Sequence, residues 1–228
     1  MFIFENTNPK VILIHLHGFA SNVSGSKVEL LRKKAKEGRF SFFAMDMEYH
    51  KSTTTETLEV LDALVKGFSQ KFGEVWLSGS SHGGYVALNY LKFYRPETVT
   101  KVFLFAPSYS TLSLTVQEAG GEEGCKGWLE GKEELHIVEC ETGLELTINR
   151  EFARDILERG YEILRGNEVD FPRDIPYELY LFHGKQDSVV PVDHSRLFCN
   201  EVKVKLCKEL HDDHRLSKSF EELLRLYL

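Results

Sequence analysis

The segment Val75-Trp76-Leu77-Ser78-Gly79-Ser80-Ser81-His82-Gly83-Gly84-Tyr85-Val86-Ala87 changes character at its centre. It opens as an apolar run of strand type, passes through small and polar residues, and closes as a run of helical type. A chain turning that sharply from strand to helix crowds its own backbone, so glycine is needed where a Cβ would clash. Gly79-Ser80-Ser81-His82-Gly83 fits G-x-S-x-G in one register only, with Ser81 at the middle. A serine at the apex of such a turn has its Oγ lifted above the sheet, which makes Ser81 a candidate nucleophile. Read as structure alone, Ser81 would be a cap on the helix that follows.

Outward from this segment, short apolar runs alternate with helical patterns, the pattern of a parallel sheet covered on both faces. Val11 to Leu16 reads as a buried strand, and Phe2 to Phe4 as an edge strand beyond it. A helix is predicted over Lys27 to Lys36 and a second buried strand over Phe40 to Met45. Thr53-Thr54-Thr55-Glu56 has the spacing of a capping box, and Leu58, Leu61, Val65 and Phe68 continue it as a helix to about Phe72. The strand at Glu74 to Leu77 leads into the opening segment, whose helix runs to Tyr94 and stops before Arg95-Pro96. Val102 to Ala106 is a further strand.

The rhythm then breaks. Between residues 109 and 173 the sequence predicts a hairpin, Glu134 to Cys140 and Leu144 to Ile148 joined at Glu141-Thr142-Gly143, followed by a helix from Arg150 to Leu164. This block reads as a cap-like insertion within one domain spanning residues 1–228. It carries Trp128, Leu129 and Phe152. The rhythm resumes with a strand at Glu178 to Phe182, a helix at Asp193 to Asn200, a strand at Val202 to Leu206 and a last helix around Phe220, Leu223, Leu224 and Tyr227.

A serine needs a base within hydrogen-bond reach and a group to orient that base. After the strand ending at Phe182 comes His183-Gly184-Lys185-Gln186-Asp187, which puts a carboxylate beyond a strand's C-terminal end, where sites form in open α/β sheets. Asp187 is the expected acid. Asp193 is the reserve, and reads better as a cap for its helix. The base belongs in the loop Glu209-Leu210-His211-Asp212-Asp213-His214, where His211 and His214 compete. His15, His17 and His183 sit at strand ends and read as satisfied structural histidines. The oxyanion of an acyl-transfer reaction needs two donors. The backbone N–H of His82 would be one, and that of Phe19, in the loop His17-Gly18-Phe19-Ala20-Ser21, the other.

Composition excludes several other roles. The chain has 228 residues, 42 % of them hydrophobic and 28 % charged, and no apolar segment approaches the ~18 residues that cross a bilayer. A formal charge of −7 without a basic stripe gives no footprint for nucleic acid. The start MFIFENTNPK lacks the features of a secretory signal, so a cytoplasmic protein without membrane attachment is expected. Cys125, Cys140, Cys199 and Cys207 lack metal-ligand or CxxC spacing, which predicts reduced thiols and no metal.

The order LHGFAS, GSSHGG, HGKQDSVVP, DDHRLS resembles the α/β-hydrolase superfamily over nearly the whole chain, and within it small single-domain esterases and acyl hydrolases with a short cap. The resemblance implies a three-layer α/β sandwich with a mostly parallel central sheet. It implies Ser81 as nucleophile, Asp187 as acid, His214 as base, and Phe19 and His82 as oxyanion donors, with no cofactor. That family's usual glycine before the last Asp-His is Asp212 here, which keeps His211 in view beside His214. The implied activity is hydrolysis of a small or medium carboxylic ester through an acyl-enzyme. A thioesterase or amidase would use the same machinery, and a non-catalytic hydrolase-fold binding protein would be expected to lack a triad member. A small-molecule ester is the expected partner, and a homo-oligomer is left open.

Overall fold

The computed structural model describes residues 1–228, apart from the side chains of residues 113 and 114. Seven strands form one sheet in the order β1 (Phe2–Glu5), β3 (Ser41–Met45), β2 (Val11–Leu16), β4 (Glu74–Ser80), β5 (Val99–Phe105), β10 (Glu178–Gly184), β11 (Leu206–Leu210). Only β1 runs antiparallel to its neighbour; every other pairing in this sheet is parallel.

Alternation along each strand divides the core into two faces, because successive side chains point to opposite sides of a sheet. On one face Ile12, Ile14, Leu77, Val102, Leu104 and Leu181 pack together. Against them lie α2 (Thr54–Ser69), α3 (His82–Tyr94) and α7 (Val192–Glu201), through residues such as Leu61, Leu88 and Phe198. The opposite face collects Leu13, Phe42, Phe103, Phe105 and Phe182, covered by α1 (Ser26–Ala35) and α8 (Phe220–Tyr227). In α8 the residues Phe220, Leu223 and Leu224 are all buried, each contributing roughly 1.5–3 kcal/mol of burial. This is the three-layer sandwich expected from the sequence. The predicted capping box is also formed: the Thr53 side chain accepts from the Glu56 N–H, and the Glu56 carboxylate accepts from the Thr53 N–H at 2.8 Å.

β5 and β10 are neighbours in the sheet, so everything between them is an excursion from it. That excursion contains α4 (Thr111–Glu118), α5 (Glu122–Leu129), the hairpin β6 (His136–Val138) and β7 (Glu145–Thr147), α6 (Glu151–Arg159), and the short pair β8 (Leu164–Arg165) and β9 (Glu168–Val169). It has a small core of its own made by Cys125, Trp128, Leu135, Ile148 and Ala153. The Trp128 indole N–H donates to the Ile148 carbonyl at 3.3 Å.

Four expectations are corrected. The helix predicted to Leu164 ends at Arg159, because Gly160 adopts a left-handed C-cap with φ 71°. Ile163 and Leu164 then donate their N–H groups to the Tyr109 carbonyl instead of continuing the helix. The last strand is Leu206–Leu210 rather than Val202 to Leu206. Val202 and Val204 owe their apolar character to core packing in the turn after α7. Asp193 does not cap α7, whose N-cap is Pro191; its carboxylate pairs with Arg196 at 2.7 Å. Finally, Cys199 on α7 and Cys207 on β11 form a disulfide, their Cα atoms 6.4 Å apart, so only Cys125 and Cys140 are free thiols. The separation of 8 in sequence between Cys199 and Cys207 carries no spacing signal, because the helix-to-strand return alone brings the two cysteines together.

Candidate active site

The site lies where β2, β4, β10 and β11 end. Ser81 joins β4 to α3 with φ 54° and ψ −118°, a conformation that costs of order 1–3 kcal/mol and persists only where its surroundings enforce it. The glycines permit it. A Cβ on Gly79 would lie 2.4 Å from the Gly83 carbonyl oxygen, and one on Gly83 would lie 2.1 Å from that of Leu16. Ser81 makes no side-chain cap for α3. Its Oγ instead lies 3.0 Å from His214 Nε2.

His214 Nδ1 donates to Asp187 Oδ2 at 2.7 Å, which leaves Nε2 to accept the Ser81 proton. Ser81, His214 and Asp187 are thus brought together, whereas His211 stands exposed just after β11. Asp212, at the position of the family glycine, holds the His214 loop in place. Its buried carboxylate accepts from the N–H groups of Asp213, Lys218 and Ser219 at 2.9, 3.0 and 2.9 Å. Burial alone would raise its pKa, but these bonds hold it below the ordinary carboxylate value.

The Asp187 side chain is 0 % exposed. Burial opposes its ionisation. Hydrogen bonds from His183 and His214, the charge of His214 and the Val190 N–H overcome this and hold the carboxyl well below the usual range. His183, read from the sequence as a satisfied structural histidine, is buried and adjoins that carboxylate. Its Nε2 lies 2.9 Å from Asp187 Oδ2 and 3.0 Å from the Val190 carbonyl. Both are acceptors, so Nε2 carries the proton and Nδ1 accepts from the Ser195 hydroxyl at 2.6 Å. Ser195 in turn lies 2.8 Å from the Tyr109 hydroxyl. A buried series thus runs behind the carboxylate, and its only signal in the sequence is a histidine four residues before the acid.

His17 arranges the opposite wall. The Met47 N–H donates to its Nε2 at 3.1 Å, so Nδ1 carries the proton and donates to the Gly18 carbonyl at 2.7 Å. The Gly18 carbonyl and the Phe19 N–H belong to one trans peptide and point in opposite directions. Fixing the carbonyl therefore aims the Phe19 N–H away from His17. A Cβ on Gly18 would lie 3.7 Å from Ser81 Cβ, so this loop rests against the serine. His82 opens α3, where helix N–H groups lack intrahelical acceptors and the dipole favours negative charge. Its ring is enclosed by Phe19, Tyr49, Tyr85 and Phe152. Burial, with His17 nearby, lowers that imidazole to about 3, so it is neutral near pH 7 and is not a base there.

A cavity of about 350 Å³ opens beside Ser81, lined in part by Phe19, Ile148, Phe152 and Val189. Among the described residues no cluster of His, Cys, Asp or Glu could hold a metal ion, and no helix is long and apolar enough to cross a membrane.

The model of an uncharacterised protein family, UPF0227, matches residues 12–227. The chain belongs to that family. No curated protein matches the sequence. In structure this UPF0227 chain is similar to α/β-hydrolase domain-containing protein 10 from mouse, with 20 % identity, coverage of 98 % of this chain and 89 % of that one, and a TM-score of 0.71. It is similar to Est1E from Butyrivibrio proteoclasticus, with 17 % identity, coverage of 98 % and 89 %, and a TM-score of 0.70. It is also similar to a monoacylglycerol lipase from Paleococcus ferrophilus, with 17 % identity, coverage of 99 % and 95 %, and a TM-score of 0.71. At these identities the likeness carries the fold, and the UPF0227 chain has the α/β-hydrolase fold.

Proposed function

We propose that this protein is a serine hydrolase that cleaves a carboxylic ester of a small or medium acyl substrate. The observation that carries the reading is His214 standing between Ser81 at 3.0 Å and a fully enclosed Asp187 at 2.7 Å. Ser81 Oγ attacks the ester carbonyl while His214 Nε2 takes its proton, and Asp187 stabilises the imidazolium that forms. Negative charge developing on the carbonyl oxygen meets the N–H groups of Phe19 and His82, a contribution that typically amounts to ~3 kcal/mol per donor. His214 then protonates the departing alcohol, leaving the acyl group on Ser81. A water deprotonated by His214 releases the acid and restores the serine. The apolar lining of the cavity supports an acyl portion of modest size. Fold neighbours that include a monoacylglycerol lipase are in keeping with an ester substrate.

The test is labelling with a fluorophosphonate probe together with turnover of a p-nitrophenyl ester series. The parent protein is expected to label and turn over, and Ser81→Ala to do neither. A parent protein that stays unlabelled, or a Ser81→Ala variant that labels equally, overturns the reading.

A further inference from the structure

The cavity beside Ser81 has a second character that ester hydrolysis alone does not use. Besides its apolar lining it is walled by Lys27, in the first turn of α1, and by Arg215, the residue after His214. Neither cation has an ion pair or a hydrogen bond among the described residues; Lys27 Nζ lies over the face of Phe220, 5.8 Å from the ring centroid. Three nearby carboxylates accept hydrogen bonds from other groups. Asp212 accepts three backbone N–H groups, and Asp213 accepts from the Ser217 N–H and hydroxyl. Glu141, at the turn of the cap hairpin, accepts from the Ser21 hydroxyl at 2.8 Å. Glu118 also lines the cavity, from α4 on the cap.

We infer that Lys27 and Arg215 form an anion-binding subsite in the wall of the Ser81 cavity, so that the substrate carries an oxyanion, a carboxylate or a phosphate, beside its apolar portion. This deepens the ester-hydrolase reading and rests on it for the word substrate. A half-buried ammonium that makes no ion pair or hydrogen bond is costly even with Asp212, Asp213 and Glu141 in its neighbourhood, and an anionic ligand would supply the direct partner. Burial, with Arg215 nearby, lowers the Lys27 ammonium to about 8, against the opposing pull of Asp213, Asp212 and Glu141. The position of Glu141 fits the same chemistry. A Cβ on Gly25, the N-cap of α1, would lie 2.9 Å from Glu141 Oε1, so a carboxylate of the chain itself already stands at the entrance to this wall. An external oxyanion would compete with it.

The test uses the full chain carrying Ser81→Ala, so that it reads binding without turnover. Glutarate and inorganic phosphate are titrated in separate arms while the melting temperature is followed, with sodium chloride at equal ionic strength as reference. A saturable rise beyond the chloride reference is expected in at least one arm, and the arm that responds identifies carboxylate or phosphate. Adding Lys27→Met or Arg215→Gln is expected to weaken the apparent Kd at least fivefold, and adding Glu141→Gln to tighten it. No rise in either arm, or an unchanged Kd in both cation variants, overturns the subsite. Should Lys27→Met fail to fold, Arg215→Gln at an exposed position carries the comparison alone. With Ser81 present, the ratio of kcat/KM for p-nitrophenyl hydrogen glutarate to that for p-nitrophenyl valerate is expected to fall at least tenfold in Arg215→Gln if the carboxylate arm responds. Labelled, active protein that binds neither anion sinks the subsite alone, while anion binding by a protein that never labels sinks the hydrolase reading alone.

Discussion

The floor and the roof of the cavity are built on different principles. On the floor, the strand-to-helix join at Ser81 is held by backbone approaching backbone, with Gly79 and Gly83 where no Cβ fits, while the His17 side chain and the Asp212 carboxylate hold the Gly18 and His214 loops. A Cβ on Gly184 would lie 2.3 Å from the Asp213 carbonyl oxygen, just as one on Gly83 would lie 2.1 Å from that of Leu16. The roof has a five-residue core of its own, sends Phe152, Ile156 and Ile163 into the main core, and adds hydrogen bonds to the body such as the Asn149 N–H to the His50 carbonyl at 2.8 Å and the Thr55 hydroxyl to Asp155 at 2.6 Å. Positions that handle reacting atoms are thus fixed by sterics with little slack. The excursion between β5 and β10 is expected to open before the sheet does.

The largest expected effect breaks the floor. Gly83→Ala forces a methyl group into the Leu16 carbonyl and is expected to cost ~3 kcal/mol or more, with ester turnover lost in whatever protein folds. Urea unfolding reads this, and a midpoint near the parental one would mean that the strand-to-helix join relaxes. In the roof, Trp128→Ala removes the largest side chain of the cap core, at a local cost of ~3 kcal/mol. Hydrogen exchange should accelerate across residues 111–159 while β4 and β5 keep their protection; equal acceleration in the sheet would erase the distinction between the two regions.

A smaller effect probes the support behind the triad. His183→Gln removes a donor to Asp187 and is expected to lower kcat ~10-fold with little change in KM. A rise in KM alone would contradict a positioning role. A last effect concerns acid and is read per pH unit. His15 and His82 each have a folded pKa lowered by burial to about 3, below the ordinary value of 6.5, so the unfolded state binds more protons between those limits. Stability is therefore full above about pH 6.5 and is lost as pH falls toward about 3, by at most ~1.4 kcal/mol per pH unit for each histidine. His82→Phe should flatten that slope in urea titrations between pH 4 and 6.5, and an unchanged slope would remove His82 as a source.

What could be read in advance follows the range of the interactions involved. The sheet strands announce themselves through continuous apolar runs, and the capping box at Thr53 and the proline after Arg95 mark helix ends within a few residues. Ser81 was legible because its glycines are local. The cap was legible only as a break in rhythm: α5 contains Gly124 and Gly127, and α4 carries threonines and serine, so neither shows a strong apolar stripe. The Cys199–Cys207 bond had no sequence signal, and the His183–Ser195–Tyr109 series had only the spacing of His183 to Asp187, since each depends on distances between separate elements.

By itself the sequence determined the alternation of strands and helices, the single register of G-x-S-x-G and the supply of carboxylate and imidazole downstream, because periodicity and turn chemistry act between near neighbours. Tertiary structure alone decided that His214 rather than His211 meets Ser81, that a second histidine backs Asp187, and that Lys27 and Arg215 share one wall of the cavity. Those outcomes depend on where parallel strands, each separated from the next by a crossover, bring their C-terminal ends together, and no local pattern encodes that distance.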